Sequence, residues 1–162
     1  MLFNRSWYNR AGVERVMGFC RDEDARRFFV DAPIFEQMLV NAGIRLFKYY
    51  LDIDRGVQAQ RLKERKHDPL AQWKISPVDK VAVKHWDDYT RCRDEMFRRT
   101  NGPPSPWHVV RADDKHAARL NLIRHLLSQL GYRGKKRPLL EFDPQVVFAF
   151  DEARLRDGSL AR

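Results

Sequence analysis

The sequence has few of the residues that cross-link small exported proteins or bind zinc. Its 162 residues include only two cysteines, Cys20 and Cys92, and they do not form a C-x-x-C pair, so neither a disulfide framework nor a zinc site is indicated. The five histidines show no two-histidine pattern beside an acidic ligand, which disfavours zinc and nucleophilic chemistry. A run of about 18 apolar residues and a signal-peptide pattern are both missing. We therefore expect a cytoplasmic protein that does not enter a membrane.

Positive charge, in contrast, is in excess. The chain has 31 lysines and arginines against 22 aspartates and glutamates, a net charge of +9. This balance favours polyanionic partners such as polyphosphate, nucleotides or nucleic acid. Because zinc-finger spacing, basic-zipper heptads and ribonucleoprotein motifs do not occur, specific nucleic-acid recognition is not predicted. The length suits a single domain over residues 1–162.

The apolar pattern predicts strands that alternate with helices. Segments 44–53 and 107–112 are rich in aromatic and branched residues, which is typical of β-strands. The near-continuous apolar character of the first suits a parallel sheet. Residues 1–3 are interpreted as the end of a further buried strand, which leads into a helix over residues 7–20. This order predicts an α/β fold, with a parallel sheet flanked by helices.

Two helices are expected between the first helix and the strand at 44–53. A stretch over residues 24–30 gives way to a new helix that Asp31 caps. Phe35, Met38 and Leu39 are predicted to face the core, and Gly43 to end the helix. A polar, basic helix then covers residues 57–67.

The later helices also have predicted ends. Ser76 followed by Pro77 begins a helix whose apolar stripe continues to residue 97 and which ends before the proline cluster at 103–106. Asp113 is predicted to cap the last helix, which Gly131 ends. The side chains expected to point inward from that helix are Leu120, Ile123, Leu126, Leu127 and Leu130. The tail, residues 132–162, is basic and contains prolines, and we expect it to be extended.

A first polar cluster lies where the N-terminal strand would deliver the chain to a helix, which is the edge at which open α/β sheets bind ligands. Arg5 and Arg10 are fork-shaped cations suited to phosphate, and Glu14 follows Arg10 by one helical turn, where it can orient the guanidinium. The alternative is structural: Arg10 and Glu14 form a surface ion pair, and Trp7 belongs to the core. These residues alone leave both interpretations open.

A second basic cluster covers residues 61–74. Arg61 and Arg65 lie one helical turn apart on one face. The other cations of this segment are Lys63, Lys66 and Lys74. The segment is able to close over a chain of phosphates, or it is simply a solvated helix face. Lys115 follows the strand at 107–112, so it is a further candidate for contact with phosphate or nucleotide.

A resemblance to a known family adds to these patterns. Residues 4–20, NRSWYNRAGVERVMGFC, resemble the corresponding stretch of the polyphosphate kinase 2 family, and so many rare residues in register are a highly specific signal. The likeness continues through DPLAQWKISPVD at 68–79, SPW at 105–107, DDK at 113–115, RLN at 119–121 and FDPQVVFAF at 142–150. It covers nearly the whole chain.

The resemblance implies a P-loop kinase-like fold and Mg²⁺-dependent transfer of a terminal phosphoryl group between inorganic polyphosphate and ADP or GDP, with ATP or GTP as the triphosphate. It also implies a homo-oligomer. By resemblance Arg5, Asn9, Arg10 and Glu14 belong to the catalytic edge, where phosphoryl transfer requires mainly positioning and charge neutralisation. The basic segment 55–76 is implied to be a mobile lid. The candidate phosphate contacts are Arg61, Arg65 and Lys66, with Lys74 and Lys115 as weaker ones.

Two departures from the family pattern matter. Asn4 stands where the family has an aspartate at the end of its Walker-B-like strand, so this catalytic position is expected to be only a weak Mg²⁺ ligand. A phosphate loop of the G-x-x-x-x-G-K kind does not occur, and the resemblance places it upstream of Met1. Its loss would remove a phosphate cradle and expose a sheet edge, which predicts low activity and poor solubility. The alternative hypothesis is a catalytically inactive module that binds polyphosphate.

Overall fold

Among the residues that the structure describes, three strands form one sheet, in the order in which they occur along the chain. The computed structural model describes residues 1–3, 5–76, 78 and 82–162. Strand β1 (Lys48–Asp52) pairs in parallel with β2 (Trp107–Arg111), and β2 pairs antiparallel with β3 (Val147–Ala149). The predicted parallel pair is confirmed, although β1 is shorter than expected. The expectation of a wholly parallel sheet is wrong because β3 runs in the opposite direction.

Helices surround the sheet. The bounds of the α-helices are α1 (Val13–Val16), α2 (Asp22–Asn41), α3 (Arg55–His67), α4 (Trp86–Thr100) and α5 (Lys115–Gln129). Short 3-10 helices cover Trp7–Arg10, Gln72–Lys74, Arg137–Leu140 and Glu152–Leu155. No helix among the described residues is long and apolar enough to cross a membrane.

The N-terminal segment departs from its prediction. Residues 1–3 form no strand and are exposed, because no described strand lies beside them to pair with. The single helix expected over residues 7–20 is instead the 3-10 helix Trp7–Arg10 followed by α1. Gly12 lies at the break between them, where its φ of −115° and ψ of −98° are not helical.

Helix α2 replaces the two helices predicted there. Its start is stabilised by Asp24, whose carboxylate accepts from the backbone N–H and the guanidinium of Arg21, and by acidic residues in the first turn, which complement the helix dipole. Pro33 lies inside the helix rather than at its start, so Asp31 is not a cap. The predicted stop at Gly43 is confirmed, because this residue has a φ of +83° that favours glycine.

The face of α2 that contacts the core was predicted wrongly. Its buried residues are Ala25, Phe29, Ala32 and Glu36, whose spacing of three or four residues places them on one side. Phe35 and Met38 lie on the outer side, 46% and 63% exposed. The single charged residue of the buried side, Glu36, thus enters the core while larger apolar residues remain outside.

Helices α4 and α5 lie where the sequence predicted helices, but their caps and buried sides differ from the prediction. Pro77 and Val81, at the predicted start of the helix before the proline cluster, lie outside the described residues. In α5 the N-cap is Asp114, whose carboxylate accepts from the N–H groups of His116 and Ala117, so the prediction of Asp113 is wrong by one residue. The side of α5 that is buried carries Ala118, Asn121 and His125. Of the leucines and isoleucine expected inward, two are about half exposed, Leu120 and Ile123.

The two faces of the sheet support separate parts of the core. Side chains alternate along a strand, so Trp107 and Val109 of β2 belong to a large cluster with Phe97 of α4, while Val110 packs with Ala118 of α5 on the opposite face. The tail contributes to both faces through β3. The expectation of an extended tail is therefore wrong: β3 pairs with β2, and Phe150, Leu155 and Leu160 of the tail are buried in the larger cluster.

Candidate functional site

The carboxyl ends of β1 and β2 form one edge, because Asp52 pairs with Arg111 in the parallel register. Each strand leads through a short loop into a helix, α3 and α5 respectively. Asp54 caps α3 by accepting from the N–H of Gly56 at 2.7 Å, and its own N–H donates to Oδ1 of Asp113 at 2.8 Å. Asp113 therefore ties the two loops together.

Arg61 also joins the basic helix α3 to this edge. Its Nη2 donates to the carbonyl oxygens of Ala112 and Asp113, at 2.8 and 2.6 Å. These bonds satisfy carbonyls that follow the last pairs of β2. In this arrangement one predicted phosphate ligand fastens α3 to the sheet, so any contact of Nη2 with phosphate requires these bonds to be exchanged.

The other predicted phosphate-binding cations lie either beside this edge or at the far end of α3. Lys115, the first residue of α5, is exposed beside the β2 loop. Arg65 and Lys66 are in the last turn of α3, where basic residues complement the helix dipole. The carbonyl of Lys66 accepts from Nε2 of Gln72 at 3.0 Å, which folds the following turn onto α3. The side chain of Lys74 lies outside the described residues.

The N-terminal cluster is a compact turn. Ser6 caps it by accepting from the N–H of Tyr8 at 3.3 Å. Arg10 and Glu14 form the ion pair predicted from their spacing, with Nε and Oε2 2.5 Å apart, and Asn9, directly before Arg10, is half-buried. Arg5 has a φ of +70°, a conformation that residues with a β-carbon adopt rarely and that clusters at functional sites. Asn4 lies outside the described residues.

A buried network that sequence reasoning missed holds this turn in place. Glu36 of α2 accepts hydrogen bonds from the hydroxyl of Tyr8 at 2.8 Å, Nζ of Lys48 at 2.7 Å and Oγ of Ser105 at 2.9 Å. The side chains of Lys48 and Glu36 are only 4% and 2% exposed. The charged residue on the apolar side of α2 was the signal in the sequence, but nothing local identified its partners.

The charge states in this network follow from burial. Burial lowers the pKa of Lys48 below its ordinary value, while the adjacent Glu36 carboxylate opposes that shift. Burial also raises the pKa of Tyr8, so its hydroxyl stays protonated and donates to Glu36. The network thus fastens Tyr8, and with it the turn that carries Arg10, to the start of β1.

A second buried charge cluster lies at the carboxyl end of β1. Arg93 of α4 donates through Nη2 to Asp94 at 2.8 Å and through Nη1 to Asp52 at 3.3 Å. Near the end of the chain, the N–H of Ala161 donates to Asp52 at 2.9 Å, and its carbonyl accepts from Nη1 of Arg93 at 2.7 Å. Burial raises the pKa of Asp52, although Arg93 and the Ala161 N–H oppose that shift.

Comparison with known proteins connects these residues to a family. The model of the polyphosphate kinase 2 family matches residues 1–138. The chain belongs to this family. Its N-terminal turn and its edge at β1 and β2 are therefore parts of a polyphosphate kinase 2 domain, and the resemblance seen in residues 4–20 is confirmed.

The relatives cover most of this chain. ADP-polyphosphate phosphotransferase 1 of Rhizobium meliloti is 48% identical over 148 residues, which are 91% of this chain and 49% of that protein. GDP-polyphosphate phosphotransferase of Mycobacterium tuberculosis is 48% identical over 147 residues, 91% of this chain and 50% of that protein. This polyphosphate kinase 2 chain thus spans about half the length of the curated relatives it matches.

A solved structure supports the fold assignment. The polyphosphate kinase 2 of Arthrobacter aurescens TC1 superimposes with a TM-score of 0.73 at 33% identity, over 87% of this chain and 50% of that one. The α/β fold of the P-loop kinase-like class that the resemblance implied is confirmed, with the sheet mixed rather than wholly parallel.

The described residues of this family member do not assemble a magnesium site. Among residues 1–3, 5–76, 78 and 82–162, no three His, Cys, Asp or Glu side chains lie close enough together to hold a metal ion. Glu14 pairs with Arg10, and Asp113 accepts from the N–H of Asp54. The described residues therefore do not by themselves form a magnesium site.

Proposed function

We propose that this chain is part of a phosphotransferase that moves a terminal phosphoryl group between inorganic polyphosphate and a nucleoside diphosphate, ADP or GDP, with ATP or GTP as the triphosphate. The observation that carries the proposal is the 48% identity, over 91% of the chain, to two relatives named for transfer between polyphosphate and ADP or GDP. The excess of cations supports it, since phosphoryl transfer depends on neutralising phosphate charge.

The proposed roles follow from the geometry. Arg5 and Arg10 bind phosphate oxygens at the N-terminal turn, and Glu14 orients the guanidinium of Arg10 through their 2.5 Å bond. Asn9 contributes an amide from the same turn. In the absence of a described carboxylate cage, the turn stabilises the transferred group by positive charge and fixed position.

The segment 55–76 acts as a lid in this proposal. Arg61 exchanges its bonds to the carbonyls of Ala112 and Asp113 for phosphate when polyphosphate enters. Arg65 and Lys66 then grip the same chain of phosphates from the last turn of α3, and Lys74 and Lys115 extend the basic path. Mg²⁺ takes part as the ion that accompanies the polyphosphate and nucleotide substrates.

We also propose a cytoplasmic homo-oligomer. Support for assembly comes from the outer side of α2, where Val30, Ile34, Phe35 and Met38 form an apolar surface with each side chain 46% exposed or more. A second copy of this chain is the proposed occupant. Light scattering after gel filtration should give a mass above that of one chain, and Ile34→Glu should lower it.

The experiment that tests the activity is nucleoside triphosphate production from polyphosphate and ADP or GDP with Mg²⁺. This chain is compared with its Asn4→Asp variant and with a version extended to the length of its relatives. We expect product in the extended version, with Asn4→Asp increasing it, and loss of product in Arg10→Ala. No product in any of the three would refute the proposed reaction.

A catalytically inactive polyphosphate-binding module is the second candidate. The observations that favour it are Asn4, where the family carries aspartate, and the net charge of +9. Such a module binds polyphosphate with an affinity that falls steeply as salt rises, because charge neutralisation dominates binding. Binding of polyphosphate without product, in the extended Asn4→Asp version as well, would select this candidate over the first.

A further inference from the structure

A basic loop, residues 131–137, leads from the end of α5 into the 3-10 helix Arg137–Leu140. Its sequence, GYRGKKR, contains the cations Arg133, Lys135, Lys136 and Arg137. None of them belongs to the N-terminal turn or to the cations assigned above to phosphate. Since α5 has 15 residues and rises about 1.5 Å per residue, the loop lies about 20 Å from Lys115 and the edge of the sheet. We call this segment the distal loop.

The backbone of the distal loop forms a defined turn. Gly134 has a φ of +77°, a conformation that glycine adopts without steric cost, and the turn at residues 133–134 depends on it. On the other side of the loop, Pro138 in the first turn of the 3-10 helix restricts the backbone. The cations are therefore presented on a short stretch of defined conformation.

Two cations at this end of α5 have a structural role. Nζ of Lys135 donates to the carbonyls of Ser128 and Leu130, at 2.6 and 2.8 Å, and Nη2 of Arg45 donates to the carbonyl of Gln129. These bonds satisfy carbonyl groups at the C-terminal end of the helix, which carry partial negative charge. They also shield that end, which would otherwise repel an anion bound nearby.

The other three cations of the distal loop have no such role. Arg133, Lys136 and Arg137 are exposed, and within the described part of the chain their side chains form no hydrogen bond or ion pair. By contrast, the exposed Arg91 pairs with Asp88. Like charges this close together repel one another, so the binding of a polyanion would relieve that repulsion.

An open groove of about 580 Å³ lies beside the distal loop. Its volume is within the roughly 300–1,000 Å³ of typical ligand sites. Lys135 and Arg137 supply positive charge to its wall, which Glu141 also lines. Residues 131–141 contain four cations and this one carboxylate, a net charge of +3. The groove therefore attracts anions, and its open sides admit a chain that continues beyond it.

We propose that the distal loop is a second binding site for inorganic polyphosphate, about 20 Å from the edge of the sheet where the terminal phosphate reacts. This inference rests on the proposed function, in which polyphosphate is a substrate. Polyphosphate carries regularly spaced negative charges and no bases, so cations on an open surface are sufficient to bind it. Arg133 and Arg137 provide fork-shaped donors for phosphate oxygens, and Lys136 adds a third positive charge.

Single-stranded nucleic acid fits the distal loop less well. Sites for it combine a basic groove with aromatic side chains on which successive bases stack. The distal loop has one aromatic residue, Tyr132, and the ammonium of Lys135 lies 5.9 Å from the centre of its ring. A single ring with a cation over it does not provide a series of stacking surfaces.

Two sites on one protein make binding depend on the length of the polyphosphate. A chain that reaches from the distal loop to the edge of the sheet occupies both sites, and its second contact forms at a high effective concentration. Tripolyphosphate is too short to reach both. The distal loop should therefore strengthen the binding of long chains alone and keep them bound between successive transfers.

The test is calorimetric titration of this chain with tripolyphosphate and with long-chain polyphosphate. The variant Arg133→Gln/Lys136→Gln/Arg137→Gln removes the three charges and keeps Lys135, which caps α5. We expect it to weaken long-chain binding by about tenfold and to leave the tightest tripolyphosphate site within about twofold. Its long-chain affinity should also depend less steeply on salt, because fewer counterions are released.

The matched control is Arg91→Gln/Arg98→Gln/Arg156→Gln, which removes the same charge from exposed positions outside the distal loop. Its long-chain affinity should stay within about twofold of that of the unsubstituted protein. If both triple variants weaken long-chain binding equally, the effect comes from net charge and the distal site is overturned.

Other outcomes separate the distal site from the proposed reaction. Unchanged long-chain affinity in the distal-loop variant would overturn the site and leave the reaction standing. An equal loss for tripolyphosphate would also overturn it, since the loop would then belong to the first site. If the unsubstituted protein binds neither ligand, the proposed function fails as well. A single-stranded RNA that loses more affinity than polyphosphate in this variant would assign the loop to nucleic acid and refute the proposal.

A measurement on the unsubstituted protein covers the case in which the distal-loop variant does not fold. The backbone amide signals of Arg133, Gly134 and Lys136 are followed by NMR in isotope-labelled protein while long-chain polyphosphate is added. Shifts of these signals support the site, and signals that stay unchanged while those of the N-terminal turn shift overturn it.

Discussion

Replacing Glu36 by alanine should destabilise this protein more than any other single removal of a carboxylate that the structure describes. The substitution leaves the ammonium of Lys48 in a site where its side chain is 4% exposed, with the hydroxyl of Tyr8 and the carbonyl of Thr100 as remaining partners. Removing one member of a buried ion pair costs about 3–5 kcal/mol. Since domains unfold at about 5–15 kcal/mol, Glu36→Ala is expected to remove a large part of the stability.

Two further variants identify the cause of the loss. Glu36→Gln keeps one acceptor oxygen, for either the Tyr8 hydroxyl or Ser105, and removes the charge, so its loss of stability should be smaller than that of Glu36→Ala. The double variant Glu36→Ala/Lys48→Met removes both charges and should be more stable than Glu36→Ala alone, because no unpaired charge stays buried. The free energy of unfolding is measured from urea transitions followed by tryptophan fluorescence and fitted for midpoint and slope.

Glu152→Ala is the matched control. Its side chain is 71% exposed and lies 3.7 Å from Arg98, so we expect a change within about 1 kcal/mol, as for other surface ion pairs. If Glu36→Ala lowers the midpoint no more than this control, the network does not stabilise the fold as argued. A double variant less stable than Glu36→Ala would refute the attribution to an unpaired charge.

Three further predictions follow from described contacts. Burial lowers the pKa of His125 from its ordinary 6.5 to about 4, so the unfolded chain takes up a proton first and stability should fall as the pH drops from 6.5 toward 4; urea midpoints of His125→Gln should show a weaker fall. Asp114→Ala removes the cap of α5 and should cost about 1 kcal/mol in the same assay; a midpoint equal to that of the parent would contradict the cap. Arg61→Ala removes the bonds to the carbonyls of Ala112 and Asp113, so amide hydrogen exchange should accelerate in Arg55–His67 and stay unchanged in Lys115–Gln129; equal protection in both proteins would show that Arg61 does not fasten α3 to the sheet.

The sequence was sufficient for features that depend on neighbouring residues. Helix α3, strands β1 and β2 and the Arg10–Glu14 pair come from spacing and composition along short stretches, and the structure has them where they were predicted. The stop at Gly43 needs only a residue that tolerates a positive φ. Each of these is determined locally.

Features that depend on distant partners could not be predicted in this way. Glu36 is 12 residues from Lys48 and 69 from Ser105 along the chain, so a local apolar pattern does not indicate that these side chains meet. The sequence analysis therefore predicted that the side of α2 with larger apolar residues faces the core. Strand β3 pairs with β2, which lies about 40 residues earlier in the chain. Because β3 has only three residues and lies in a basic tail, the sequence pattern did not predict it. A cavity lined by Gln58 and Trp86 arises only when α3 and α4 are brought together.

The last residues of the chain have a practical consequence for anyone who handles this protein. The backbone of Ala161 bonds to Asp52 and Arg93 at the end of the first strand, immediately before the loop that leads into α3. An affinity tag joined directly after Arg162, or removal of residues 161 and 162, would disturb this buried cluster and that loop together. Tags are better placed after a flexible spacer, and measured nucleotide affinities should be compared between differently tagged preparations before they are assigned to the protein itself.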